Sequence, residues 1–137
     1  MKTAIVRWTG REEFLATTAS GHDVPFDCDR KHNAAPSPME MLLAALGTCS
    51  MVDVVQILAK KRQRLASLEV DVSGERAAGP PAVWTKIEMV YRLAGELDDK
   101  AVRDSIELSQ NKYCSVAAML RKTAGITYRY EISPAKA

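Results

Sequence analysis

The chain has 137 residues, a length that fits one domain spanning residues 1–137. Hydrophobic residues make up 47% and charged residues 26%, the balance of a globular protein with enough apolar material for a core. The net charge of +2, with basic residues dispersed apart from Lys60-Lys61-Arg62-Gln63-Arg64, argues against nucleic acid as a partner.

The opening residues, Met1 to Trp8, do not read as a secretory signal, because Arg7 interrupts the apolar stretch early. No run approaches the roughly 18 uninterrupted apolar residues of a membrane span, so no membrane partner and a cytoplasmic location are expected. The cysteines are Cys28, Cys49 and Cys114, an odd count without short spacing. They fit neither a disulfide framework nor a paired-cysteine zinc site.

In chain order, residues 3–9 are β-prone and Gly10-Arg11-Glu12 reads as a turn. A second strand is predicted from Phe14 to Ala19, and a third segment at Val24-Pro25-Phe26 follows the turn Ser20-Gly21-His22-Asp23. The polar stretch from Asp27 to Pro36 reads as a loop. A helix then starts sharply: Ser37 caps, Pro38 takes the first helical position, and Glu40 completes a capping box. It is predicted to run from Met39 to about Lys61, apolar over most of its circumference. Burying such a helix in so small a chain calls for a second subunit as well as a sheet. The basic run at its end suits the negative pole of the helix.

Beyond it, Leu68, Val70 and Val72 alternate with Glu69 and Asp71 as a half-exposed strand. Gly79-Pro80-Pro81 turns the chain, and Trp84 to Leu93 is a strand with Ile87, Met89 and Tyr91 on one face. A helix is predicted from Asp98 to Lys112, another from Ser115 to about Thr123, and an alternating strand over Ile126 to Ile132. This order gives an α+β fold with a mainly antiparallel sheet.

Cys49 lies in the apolar helix, where desolvation opposes the thiolate. Cys114 lies just before a helix, where the dipole favours it, so the residues alone make Cys114 the easier thiolate. Asp53 sits one turn after Cys49 on the same face, and a buried aspartate needs a partner. That partner is either an arginine or lysine across a dimer, which would place a cation near Cys49, or the other half of a purely structural salt bridge; both readings stand.

The segment Ala35-Pro36-Ser37-Pro38-Met39-Glu40-Met41-Leu42-Leu43-Ala44-Ala45-Leu46-Gly47-Thr48-Cys49 resembles the first-cysteine segment of the OsmC/Ohr family of thiol peroxidases. Asn111-Lys112-Tyr113-Cys114-Ser115-Val116 resembles its second-cysteine segment, and the order of elements matches over essentially the whole chain. The resemblance implies an intertwined homodimer, with long central helices wrapped by a mainly antiparallel sheet. It implies that Cys49 attacks an organic hydroperoxide, that Cys114 resolves the sulfenic acid as a disulfide, and that a dithiol reductant resets the pair. No cofactor is implied.

In the family's peroxidase branch an arginine, held by a glutamate, activates the first cysteine. By position Arg11 is the candidate here, with Arg30 and Arg76 unplaced. The family's glutamate position holds Met39; Glu40 follows it, about 100° further round the helix and roughly 13.5 Å from Cys49 along it. The pattern with Asp53 is closest to a less characterised OsmC-like branch.

Cys28 reads as an incidental thiol, and His22 and His32 have no metal-ligand spacing to the cysteines, so no metal is expected. Trp8, Trp84, Tyr128 and Tyr130 read as core. No glycine-rich phosphate loop and no Ser-His-Asp order are present. The rival to a peroxidase is a non-catalytic module holding an apolar small molecule in the dimer pocket. A structural dimerisation domain is the third reading.

Overall fold

The computed structural model describes residues 1–134, which divide into two compact units, one over Met1–Leu42 and the other from Leu43 onward. In the first, strands β1 (Ile5–Gly10), β2 (Glu13–Thr17) and β3 (Asp23–Asp27) form an antiparallel meander. The β1–β2 turn uses Gly10 at φ +122 and Arg11 at φ +53, a left-handed geometry that favours glycine at the first position. A meander of three strands has no second layer of its own. Trp8 accordingly stays 70% exposed rather than joining a core as expected.

The loop after β3 is organised by Asp27. Its carboxylate accepts from the Asp29 N–H (2.9 Å), the Ala34 N–H (3.0 Å) and the His32 ring (2.8 Å). Helix α1 (Pro38–Lys60) opens as the capping box requires. The Ser37 N–H donates to the Glu40 carboxylate (2.8 Å), and the Glu40 N–H to the Ser37 hydroxyl (3.3 Å).

The second unit takes α1 from Leu43 onward and adds β4 (Arg64–Arg76), β5 (Trp84–Glu96), α2 (Asp99–Leu108), α3 (Ser115–Leu120) and β6 (Gly125–Ser133). β5 is the central strand of the order β4-β5-β6, antiparallel to β4 and parallel to β6. A parallel pairing needs a crossover, which α2 and α3 supply. Alternation along β5 buries Ile87, Met89, Tyr91 and Leu93, as its sequence predicts. Against them pack Leu46, Val54 and Leu58 of α1, Val102 and Ile106 of α2, and Ala117 of α3.

Gly47 sets how close α1 lies to β4, since a Cβ there would stand 3.2 Å from Val72 Cγ2. The 1.8 mean hydropathy of α1 over 18 residues meets the length and composition of a membrane span, although polar residues interrupt its apolar run. Its polar middle is bonded within the second unit, and Val52 and Val55 on its outer side remain exposed. Tyr128 of β6 is also exposed, against expectation, whereas Trp84 and Tyr130 pack against the core.

The predicted helix over residues 98–112 ends early. After α2 the chain widens into a π-helical turn, Ser109–Tyr113, and Cys114 leaves it in an extended conformation. Such turns interrupt regular helices mostly at functional positions.

Candidate functional site: a thiol pair backed by a hydroxyl chain

The second unit brings three of the residues singled out in the sequence together: Cys49 and Asp53 from α1, and Cys114 from the junction of the π-turn and α3. All three cysteines of the chain are thiols; Cys28 is exposed, Cys49 half-buried and Cys114 buried. The Cys49 and Cys114 thiols lie close enough for Cys49 to act on the ionisation of Cys114, though 65 residues separate them in sequence.

Cys114 caps α3, its Sγ accepting from the Ala117 N–H at 3.4 Å, while its own N–H donates to the Ser109 carbonyl at 2.8 Å. The helix N-terminus does not make it the easier thiolate. Burial pushes the Cys114 thiol up to about 11, the Ala117 N–H offsets part of this, and Cys49 and the Asp53 charge push the same way as burial. The six residues of α3 are too short a helix to overcome a 3%-exposed position beside two acidic groups. Cys114 therefore keeps its proton at neutral pH.

Asp53 is half-buried, and within the chain its partner is the Ser109 hydroxyl, which donates to Oδ2 at 2.9 Å. It forms no ion pair among the described residues. Behind Ser109 stands a cluster that sequence reasoning missed. The Ser50 hydroxyl is 2.8 Å from the Ser109 hydroxyl and 2.5 Å from the Tyr91 hydroxyl. Gln110 Nε2 donates to the Tyr91 oxygen at 2.6 Å, and Arg121 donates to the Gln110 backbone carbonyl at 2.8 Å. No buried side-chain nitrogen or oxygen among the described residues lacks a partner. The available signal was Ser50, a hydroxyl set among apolar residues next to Cys49.

Arg11 and Glu40 belong to the first unit and are engaged there. Arg11 reaches Asp29 at 3.5 Å with its side chain 62% exposed. Glu40 closes the capping box, whose Ser37 N–H holds its carboxyl below the usual range. Arg76 donates to the Ala82 carbonyl and lies over the Trp84 ring.

His32, set aside in the sequence, meets Glu13 and Asp27, with potential ligand atoms all within 4.8 Å. Both Asp27 oxygens already accept hydrogen bonds, which makes the group a clasp for the loop. A shallow groove of about 350 Å³ runs between α1 and β4, lined by Leu43, Gly47, Met51, Val70 and Val72.

The sequence pattern of the family described as OsmC-like protein matches residues 31–129. The chain is 44% identical over 130 residues to "Protein YhfA" of Escherichia coli strain K12, covering 94% of this chain and 96% of that one. A crystal structure of a hypothetical protein from Aquifex aeolicus VF5 is 30% identical with a TM-score of 0.89, over 99% of this chain and 98% of that one. An organic hydroperoxide resistance protein OsmC from Legionella pneumophila shares the fold at a TM-score of 0.69 and 13% identity, over 93% and 96% of the two chains.

Proposed function

Because the chain belongs to the OsmC-like family, we propose that it is a thiol-dependent peroxidase that reduces organic hydroperoxides through Cys49 and Cys114. The observation that carries this reading is that the half-buried Cys49 comes close enough to the buried Cys114 to act on its ionisation. The name of the Legionella protein gives the substrate class.

In the proposed cycle the Cys49 thiolate attacks the distal oxygen of the hydroperoxide. An S–O bond forms, the O–O bond breaks, and the alkoxide leaves with the electron pair and is protonated to the alcohol. The Cys114 thiolate then attacks the sulfenic sulfur of Cys49, forming the S–S bond and expelling hydroxide. An external dithiol returns both cysteines to thiols and is itself oxidised to a disulfide.

The proposal includes a reducing compartment, the cytoplasm, and a homodimer. The apolar Val52 and Val55, 47% and 45% exposed on α1, give a second copy of this chain a surface to cover. A second reading, a non-catalytic module for an apolar small molecule, draws on the groove between α1 and β4.

Peptide mass spectrometry after one equivalent of cumene hydroperoxide separates the two. The peroxidase reading expects a rapid Cys49–Cys114 disulfide in the wild type and a trapped sulfenic acid on Cys49 in Cys114→Ser. Thiols that stay reduced for minutes at neutral pH would overturn it in favour of the binding module.

A further inference from the structure

Resting on the Cys49/Cys114 reading, we propose that Ser109 is a positioning residue: it presents the Asp53 carboxylate to the thiol pair and so adds to burial in holding the proton on Cys114, the proton donor of the first step.

The direction of the hydrogen bonds follows from counting hydrogens. A carboxylate only accepts, so the single hydroxyl hydrogen of Ser109 is directed to Asp53 Oδ2 at 2.9 Å, the nearer of its two acceptors, the Ser50 carbonyl lying at 3.3 Å. Ser109 can then only accept from Ser50, at 2.8 Å. Ser50, its hydrogen used, accepts from Tyr91 at 2.5 Å, and Tyr91 in turn accepts from Gln110 Nε2 at 2.6 Å. Arg121 donates to Gln110 Oε1 at 3.3 Å and closes the far end with a positive charge. Every link runs the same way, from guanidinium to carboxylate, and each polarises the next. Ser50, Ser109 and Tyr91 have no exposed surface, so no solvent competes along the middle of the chain.

Ser109 is also the residue at which α2 widens into the π-turn. The wider turn directs its carbonyl to the Cys114 N–H, five residues on, at 2.8 Å. One residue therefore holds the backbone of Cys114 through its carbonyl and the carboxylate of Asp53 through its hydroxyl. The titratable groups facing Cys114 are Cys49 and Asp53 from α1 and Tyr91 from β5; the nearby cation, Arg121, is bonded to Gln110. The negative charge at Asp53 favours the protonated form of Cys114.

This arrangement orders the two steps. While Cys49 attacks, Cys114 is the thiol still bearing a proton, and the departing alkoxide, a far stronger base than a thiolate, takes it. The alcohol leaves, and Cys114 becomes a thiolate only once Cys49 carries the sulfenic oxygen. Its attack forms the disulfide and releases hydroxide, so the proton and both electron pairs are accounted for.

The test uses the reduced full-length chain without hydroperoxide. Iodoacetamide alkylation is followed against pH, and modification of the Cys114 peptide is read by mass spectrometry in wild type, Ser109→Ala, Ser109→Thr and Asp53→Asn. The readout is the pH midpoint at unchanged stability, checked by urea denaturation, because opening of a weakened fold would by itself move the midpoint toward that of a free thiol; the near-isosteric Asp53→Asn and Ser109→Thr keep that contribution small. Asp53→Asn and Ser109→Ala are each expected to lower the Cys114 midpoint, by less than burial raises it. Ser109→Thr, which keeps the hydroxyl, restores it. An unmoved midpoint in either Asp53→Asn or Ser109→Ala, or a threonine variant that behaves like alanine, overturns the proposal. If the midpoints move as expected but hydroperoxide leaves both thiols reduced, the peroxidase reading alone falls.

Discussion

Ser109 donates its hydroxyl to the Asp53 carboxylate at 2.9 Å, although the two residues lie 56 positions apart in the chain. That bond joins the long central helix to the π-turn carrying the second thiol, and it ends a chain of hydroxyls that starts from Tyr91 in the core. A buried polar chain of this kind is stable only when every member is satisfied, which makes its interior sensitive to single substitutions.

Tyr91→Phe tests that sensitivity. The substitution keeps the ring in the core but removes the oxygen that accepts from Gln110 and bonds Ser50. Gln110 Nε2 would keep only its contact with the Met89 sulfur at 3.1 Å, a weaker acceptor. The expected cost is about 1–3 kcal/mol, read from the shift of the urea midpoint at constant slope. A stability equal to wild type would mean that the hydroxyl contributes nothing to the fold.

Gly95→Ala is expected to be more damaging than its small size suggests. Gly95 stands at φ +142 opposite Leu65, beside the irregularity in β4, and a Cβ there would lie 2.1 Å from the Arg64 carbonyl oxygen. The obstacle is backbone and cannot swing aside as a side chain would. Backbone strain and crowding together predict a loss of about 2–4 kcal/mol in chemical denaturation. A loss under about 0.5 kcal/mol, the level of an ordinary surface change, would contradict the contact.

The loop clasp predicts an acid dependence. The Ala34 N–H, then the Asp29 N–H and His32, hold the Asp27 carboxyl down at about 2 against an ordinary 3.8. A depressed carboxyl contributes stability that is fully present above the ordinary value and is lost as pH falls through the depressed one. Wild type should therefore exceed Asp27→Asn in thermal stability at neutral pH. The difference should shrink between about pH 4 and pH 2. A gap that stays constant down to pH 2 would show that ionisation of Asp27 plays no part.

Val55→Asp tests the proposed homodimer. Val55 is 45% exposed on the outer side of α1, where a charge costs an isolated chain little but would be buried unpaired against a second copy. Light scattering after size exclusion should find a dimer for wild type and a monomer, or a concentration-dependent mixture, for the variant. A wild-type monomer at micromolar concentration would remove the dimer from the proposal.

Much of this architecture was readable along the chain because it depends on close neighbours. The alternation of Ile87, Met89 and Tyr91 marks the buried face of β5, and Ser37, Pro38 and Glu40 mark the start of α1 within one turn. The two cysteine segments pointed to the family whose pattern spans residues 31–129. Aromatic type was a poorer guide: Trp8 lies on a meander without a layer of its own and stays exposed. The helix expected up to Lys112 gave way to a π-turn because its end is held by bonds to residues far away in sequence, such as Ser50.

The amino-acid sequence by itself determined the order of elements, the helix cap and the two thiols, since each follows from side-chain pattern within a few residues. Only the tertiary structure decided that Cys114 keeps its proton. At Cys114 the local signal, a helix N-terminus, favours ionisation, while burial and the approach of Cys49 and Asp53 oppose it and prevail. Desolvation and charge act through space, and the residues that supply them meet only when α1, β5 and the π-turn are packed together.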